Sequence, residues 1–394
     1  MEHGMKFSIN PYIERVLFPP IVEIKRQVTG DRTQSGLSYI DLCQAIPDYP
    51  PHPSMIHFLQ ERLSESSAAS YTADEGMLEV RAAVCRRYER LYGAKISVDQ
   101  ICLTQGASQA FWLAMITLCQ AGDEVIVQVP TYFDYDMALR MLNLSCVYLP
   151  FVESNGGLPD VDAIERLITP RTRAILLISP CNPTGMVIPP ELIAKLYDLA
   201  ETRNIALVID ETYADFIAGG KRPHYLFERE SWGNNLVHIM SFGKSYAITG
   251  YRSGLLAASA SFIEQALKCH DTMSICQSTP AQIALGFALD HLDDWVAGNR
   301  EMMERRNNLF RKEFLAEGNS FMLVASGAFF AWVKHPFAGI SAWQIARDMI
   351  SSAGLVTLPG EIFGPGMSAY LRVAFGNIKE DAIPDAVARF RNLL

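Results

Sequence analysis

The 394-residue chain has no apolar run approaching the roughly 20 residues that a bilayer-spanning helix needs, so a membrane protein is not expected. Met1-Glu2-His3-Gly4 opens no secretory signal, and the expected location is cytoplasmic. There is no block of like charge either. The 34 basic and 43 acidic residues give a formal charge of −9 spread along the chain, which argues against nucleic acid as a partner. Cysteine is sparse for the length. The 8 thiols, at 43, 85, 102, 119, 146, 181, 269 and 276, lack C-x-x-C spacing and sit mostly in apolar segments. That excludes a disulfide scaffold and reads as reduced core thiols. Cys181 lies nearest a motif, but no paired ligand pattern accompanies it, and no metal is expected.

What is present begins with bulk. Hydrophobic residues make up 49% and charged residues 20%, a balance that opposes long disorder. The length suits one large domain and a smaller one, or two of middling size, and is enough to bury a cofactor. Apolar runs at Val125–Val129, Cys146–Phe151, Ala174–Ser179, Ala206–Ile209, Leu236–Met240 and Gly254–Ala258 read as strands, with a further short one ending near Leu103. Helical spacing falls between several of them, notably over Asp160–Ile168 and Pro190–Arg203, and over 109–119 after Leu103. Apolar strands that alternate with helices predict an α/β fold with a mostly parallel sheet covered on both faces. Its ligand crevice forms at the carboxyl ends of the strands.

The flanks differ. Pro19-Pro20 predicts an extended entry into a helix, and Ile40 to Pro51 a strand running into a proline-broken loop. Leu78, Val80, Ala83, Val84 and Tyr88 sit at helical spacing, with Gly93 near the end of that helix. Beyond about residue 285 a long charged helix, Trp295–Phe314, is followed by shorter mixed elements. Among these are expected strands at Ala328–Val333 and Ala369–Phe375 and a loop at Leu358–Gly364.

The chain is organised around Ser241-Phe242-Gly243-Lys244, which follows directly on the apolar run Leu236–Met240. A lysine in such a strand-end loop is commonly a solvated side chain. In a desolvated pocket, however, burial disfavours its charged form and the free amine can condense with an aldehyde. Ser241, three residues before Lys244, and Arg252, eight after it, bring a hydroxyl and a guanidinium fork suited to a phosphate. Aldehyde and phosphate together suggest pyridoxal phosphate. Gly106-Ala107-Ser108, at a strand-to-helix junction, offers backbone N–H groups and the positive end of a helix to an anion, although steric need alone also favours small residues there. Asp210 ends the apolar strand Ala206–Ile209, and a carboxylate buried there needs a partner: a protonated ring nitrogen, or an arginine.

Ser-Phe-x-Lys followed by Gly-x-Arg resembles the lysine signature of the class I/II aminotransferases, fold type I of the pyridoxal phosphate enzymes. The similarity runs from about residue 40 to 376. It implies an aspartate aminotransferase-like fold, with a large domain built on a seven-stranded, mostly parallel sheet and a smaller α+β domain. On that pattern residues 1–45 form an N-terminal arm and part of the small domain, 46–285 the cofactor domain, and 286–394 the rest of the small domain. The resemblance gives Lys244 two roles, capturing the aldehyde and moving the proton at the substrate α-carbon. It pairs Asp210 with the ring nitrogen and places Asn182, in Pro180-Cys181-Asn182-Pro183-Thr184-Gly185, and Tyr213 on the ring oxygen. Tyr132 stacks on the ring, where packing is its plain alternative. Arg372 clamps the substrate carboxylate, where a solvated charge is the alternative. Ala45 stands where the family usually has a glycine offering an N–H to that carboxylate. By the same resemblance Tyr71 would reach the phosphate of the neighbouring subunit in a homodimer, where a surface aromatic is the alternative.

The implied activity is reversible transfer of an amino group between an L-amino acid and a 2-oxo acid. A lyase of the same fold, of the carbon-sulfur β-lyase or aminocyclopropanecarboxylate-forming kind, shares these motifs. A cofactor-sensing regulatory module would need a DNA-reading domain, for which roughly forty residues before the first motif leave no room. Ile46, Tyr49 and Tyr135 lie near the motifs and hint at an apolar or aromatic substrate, but core packing explains them equally.

Overall fold

A computed structural model describes residues 7–33 and 36–393; Met1-Glu2-His3-Gly4 therefore lies outside the described residues. The larger sheet has seven strands: β1 (Ile101–Gln105), β2 (Glu124–Gln128), β3 (Ser145–Leu149), β4 (Thr172–Ile178), β5 (Ala206–Asp210), β6 (Leu236–Ser241) and β7 (Ser253–Ala257). Their spatial order is β1-β7-β6-β5-β4-β2-β3. All neighbours are parallel except at β7, which runs against both β6 and β1. One reversed strand returns β1 to the direction of β6. The carboxyl ends of β1, β4, β5 and β6 therefore share one edge.

Residues alternate across this sheet. Ile175, Leu177, Leu207 and Ile209 enter one core, while Ala174, Leu176, Ala206 and Val208 enter the other. With both faces covered, neither can be polar, which is why these strands read as unbroken apolar runs. The covering helices stop where the sequence tells them to. Leu78–Tyr92 ends on Gly93 in a left-handed turn, and Pro190–Arg203 begins on its proline and ends on left-handed Asn204. Asp160 caps Val161–Leu167 by accepting from the Ala163 N–H at 2.8 Å.

A second sheet of four antiparallel strands orders Leu358–Pro359, Tyr370–Val373, Phe330–Lys334 and Met322–Gly327. It corrects the expected strand at Ala328–Val333: the chain reverses through Ala328, at φ 47°, and the strand starts at Phe330. Its partner Met322–Gly327 is half exposed and carries no clear alternation, so the sequence does not announce it. The expected loop at Leu358–Gly364 opens with a two-residue strand and then makes one 3-10 turn over Gly360–Phe363. Ile40–Asp41 pairs in parallel with Leu355–Val356, which ties the N-terminal chain to this end of the molecule.

The two sheets touch through glycine. Gly185, at φ +73°, closes the turn after β4, and Gly327 ends a strand of the smaller sheet. A Cβ on Gly185 would lie 2.2 Å from the Gly327 carbonyl oxygen, and one on Gly327 would lie 2.2 Å from the Gly185 carbonyl oxygen. Gly185→Ala combines this clash with a strained φ and is expected to cost roughly 2–3 kcal/mol. Calorimetry should show the unfolding midpoint falling by several degrees; an unchanged midpoint would mean that the two segments move apart freely.

Candidate active site

One cleft opens at the shared strand edge. β6 delivers Ser241 and, in the turn beyond it, Lys244; β5 delivers Asp210 and then Tyr213; the turn after β4 delivers Asn182. Ala107 and Ser108, in the first turn of the helix after β1, line it together with Tyr132 and Arg252. Arg372 enters from the smaller sheet and Ala45 from the N-terminal chain. Gly106 stands behind this wall at φ +80°, where a Cβ would lie 2.7 Å from Arg252 Nη2. Tyr71 is not part of the cleft of its own chain, and 77% of it is exposed.

Lys244 Nζ donates to the Ala45 carbonyl. Burial, then the positive charges of Arg372 and Arg252, lower its amine to about 7, so near neutral pH much of it is the free base. Ala45 is not among the residues with left-handed backbone, so the position does not require glycine's extra freedom.

Asp210 is buried, and both oxygens of its carboxylate are held while acceptor capacity remains. Oδ1 accepts from the Thr212 N–H at 2.9 Å and the Thr212 hydroxyl at 2.7 Å, and Oδ2 accepts from the Tyr135 hydroxyl at 2.6 Å. Burial raises the carboxyl above the ordinary aspartate value, and these hydrogen bonds offset only part of that rise. Among the described residues no arginine or lysine pairs with it, so the salt-bridge alternative is not what the fold builds.

At the opposite end, Arg252 donates to the Thr249 carbonyl at 3.1 Å and the Gln105 carbonyl at 3.4 Å, which sets its guanidinium beside the start of the helix at Gly106. Ser241 Oγ accepts from the Gly243 N–H at 3.3 Å. Guanidinium, hydroxyl and helix N-terminus together make a positive pole for an anion.

Arg372 is only 1% exposed, which sets aside the solvated-charge alternative. Its Nη1 donates to Asn182 Oδ1 at 2.9 Å and its Nη2 to the Cys43 carbonyl, and it sits 5.3 Å from the ring centres of both Phe330 and Phe363. Its Nε is buried with no hydrogen-bond partner among the described residues. A planar fork with a spare N–H is suited to receiving a carboxylate.

A family model for class I and II aminotransferases matches residues 38–390. The chain belongs to that family. This aminotransferase is 29% identical over 384 residues to an aspartate aminotransferase of Pyrococcus horikoshii, covering 97% of this chain and 96% of that protein. It is 27% identical over 358 residues to an aromatic aminotransferase of Arabidopsis thaliana, covering 89% of each. Among solved structures, an aspartate aminotransferase single mutant from Thermus thermophilus superposes with a TM-score of 0.90 at 25% identity, over 98% of this chain and 100% of that one.

Tyr135 and Thr212 belong to the site of this aminotransferase without a sequence pattern that marks them as such. Tyr135 was legible only as an aromatic near a motif, and Thr212 carries no signal beyond following Asp210. Gln44, Ile21 and Ile46 also line the cleft. Behind it, the aminotransferase buries Glu211, His224 and His238, whose ligand-type atoms lie within 4.8 Å of one another. The donors there argue against a metal. The Leu226 N–H donates to His224 Nδ1 at 3.2 Å, so a neutral ring carries its hydrogen on Nε2, the edge that faces Glu211 Oε2 at 3.5 Å. Glu211 Oε2 also accepts from the Tyr92 hydroxyl and lies 3.0 Å from His238 Nε2. This is a hydrogen-bonded core around one carboxylate.

Proposed function

We propose that this protein is a cytoplasmic, pyridoxal phosphate-dependent aminotransferase that moves an amino group between an L-amino acid and a 2-oxo acid. The observation that carries the reading is the pairing, in one cleft, of a lysine amine lowered to about 7 with a buried carboxylate that has no cationic partner among the described residues. The residues fit the cofactor's chemistry: an anion pole at Arg252, Ser241 and the 106–108 turn, a nucleophilic amine, and a carboxylate for a ring N–H. When bound, pyridoxal phosphate supplies an aldehyde for amines and a ring that withdraws electrons from the substrate α-carbon.

The chain's own groups do the rest. Lys244 Nζ would hold the cofactor's aldehyde carbon and would carry the proton at the substrate α-carbon, a task that an amine near pKa 7 does well around neutral pH. Asp210, with Thr212 and Tyr135 fixing its two oxygens, would hold the ring N–H. Asn182 and Tyr213 would donate to the cofactor's ring oxygen, and Tyr132 would cover its ring. Arg372 and the Ala45 N–H take the α-carboxylate. We assign the described residues up to 45 to an N-terminal arm and part of the small domain, 46–285 to the cofactor domain, and the described residues from 286 onward to the rest of the small domain. Tyr71, exposed on its own chain, reaches the phosphate site of a second copy in a homodimer. Among the described residues no helix is long and apolar enough to cross a membrane.

The relatives reported above are named as aminotransferases, which supports transamination over the lyase outcome. The test is to mix the holoprotein with each amino acid in turn, starting with aspartate and the aromatic ones, and to watch for conversion of the bound cofactor to its aminated form. A panel in which none converts overturns the reading. Tyr135→Phe removes one hydrogen bond to Asp210 and is expected to lower kcat by about three- to tenfold. Steady-state kinetics with an unchanged circular dichroism spectrum would show it; unaltered kcat would mean that Thr212 alone holds the carboxylate.

A further inference from the structure

We infer that Arg87, Asp215 and Ser245 form a positioning device that fixes the Lys244 turn against the Tyr213 loop. The inference rests on the function proposed above, in which Lys244 is the reactive amine. Arg87 projects from the helix Leu78–Tyr92 and donates from Nη2 to Asp215 Oδ1 at 2.5 Å. The two side chains are 6% and 9% exposed. Asp215 Oδ2 accepts from the Ser245 hydroxyl. Asp215 lies two residues beyond Tyr213, and Ser245 directly follows Lys244. One carboxylate thus joins the loops that carry two cleft residues to a helix that lends nothing to the cleft itself. The Arg87 guanidinium also stands 5.8 Å over the ring of Phe242, on the other side of Lys244 in the chain.

Stability is a weak explanation for this arrangement, because apolar residues of similar volume commonly replace a buried ion pair without loss. Geometry is a stronger one, since small displacements of a reacting group cost rate steeply. Charge adds to it. Arg372 and Arg252 already depress the Lys244 amine, and within the proposed device Asp215 balances the buried charge of Arg87 so that it does not add to theirs.

Three variants test this, each prepared as apoprotein and loaded with pyridoxal phosphate: Ser245→Ala, Asp215→Asn, and the double variant Arg87→Met with Asp215→Leu. In the apoprotein, Lys244 is titrated by the pH dependence of its acylation, read by peptide mapping. Ser245→Ala keeps the ion pair, and its melting temperature should stay near that of the wild type. Its kcat should fall about tenfold while KM stays within about twofold. Asp215→Asn leaves Arg87 unpaired, and the Lys244 titration should move down by about one unit. The double variant is neutral inside, so its titration should return to the wild-type position while kcat remains low. Should Asp215→Asn fail to fold, the other two proteins carry the test. Wild-type kcat in Ser245→Ala, or a double variant with both kcat and titration as in the wild type, would overturn the device. A wild-type holoprotein without visible absorbance from lysine-bound cofactor would instead overturn the functional reading, leaving the apoprotein titrations to decide the positional one.

Discussion

Lys244→Ala is expected to lower turnover by at least about 10⁴-fold, because in the proposed mechanism one amine serves as both nucleophile and proton carrier. The visible absorbance of lysine-bound cofactor should vanish with it. Turnover within tenfold of the wild type, measured after removal of trace wild-type protein, would sink the assignment. The apoprotein offers an independent readout. Lys244 has a folded value of about 7, below the ordinary lysine value of the unfolded chain. Between these values the unfolded state binds a proton that the folded state does not, so wild-type stability gains as pH rises through that window. Below about 7 the folded protein holds a buried charge, and the penalty is at its largest. Alanine removes this dependence. The difference in melting temperature should therefore shift in favour of the wild type between pH 6 and pH 10, and a difference that stays constant would place the amine in solvent.

Asp210→Asn should leave cofactor bound through its phosphate end but lower kcat by about 10²–10³-fold, the usual scale for losing one preorganised electrostatic partner. Asparagine fills the same space and still accepts from Thr212. What it loses is the negative charge that, on the proposed assignment, would keep a proton on the ring nitrogen. The absorbance of bound cofactor reports occupancy separately from rate, so the two effects can be told apart. Rates within twofold of the wild type, at full occupancy, would remove the electron-sink role and leave Asp210 as a structural end to β5.

The parts of the fold that were legible in sequence are those with a strong local cause. β2 and β4 to β7 are apolar runs because both sheet faces are covered there, whereas the edge strand β3 is only half buried, and Pro190–Arg203 has its proline and its left-handed asparagine at the ends. Met322–Gly327 failed for the converse reason: it is half exposed, so neither alternation nor an apolar run marks it. In the site, Lys244, Asp210 and Arg252 stand out because each is a charged residue set against apolar or small neighbours. Arg372 looked equally compatible with a solvent-facing strand position, and only the fold shows it sealed between Phe330 and Phe363. Tyr135 and Asp215 act across 75 and 30 residues of sequence, to Asp210 and Ser245, and no local pattern encodes such a partner.

The paired glycines at 185 and 327 bear on how this protein can be recombined. Because each denies the other a side chain, an exchange of the C-terminal third with that of a relative imports a new surface against the turn that carries Asn182. A chimera whose incoming segment places any larger residue opposite Gly185 would push that turn out of register with the cleft. Crossover libraries built on this scaffold should therefore inherit positions 185 and 327 from the same parent.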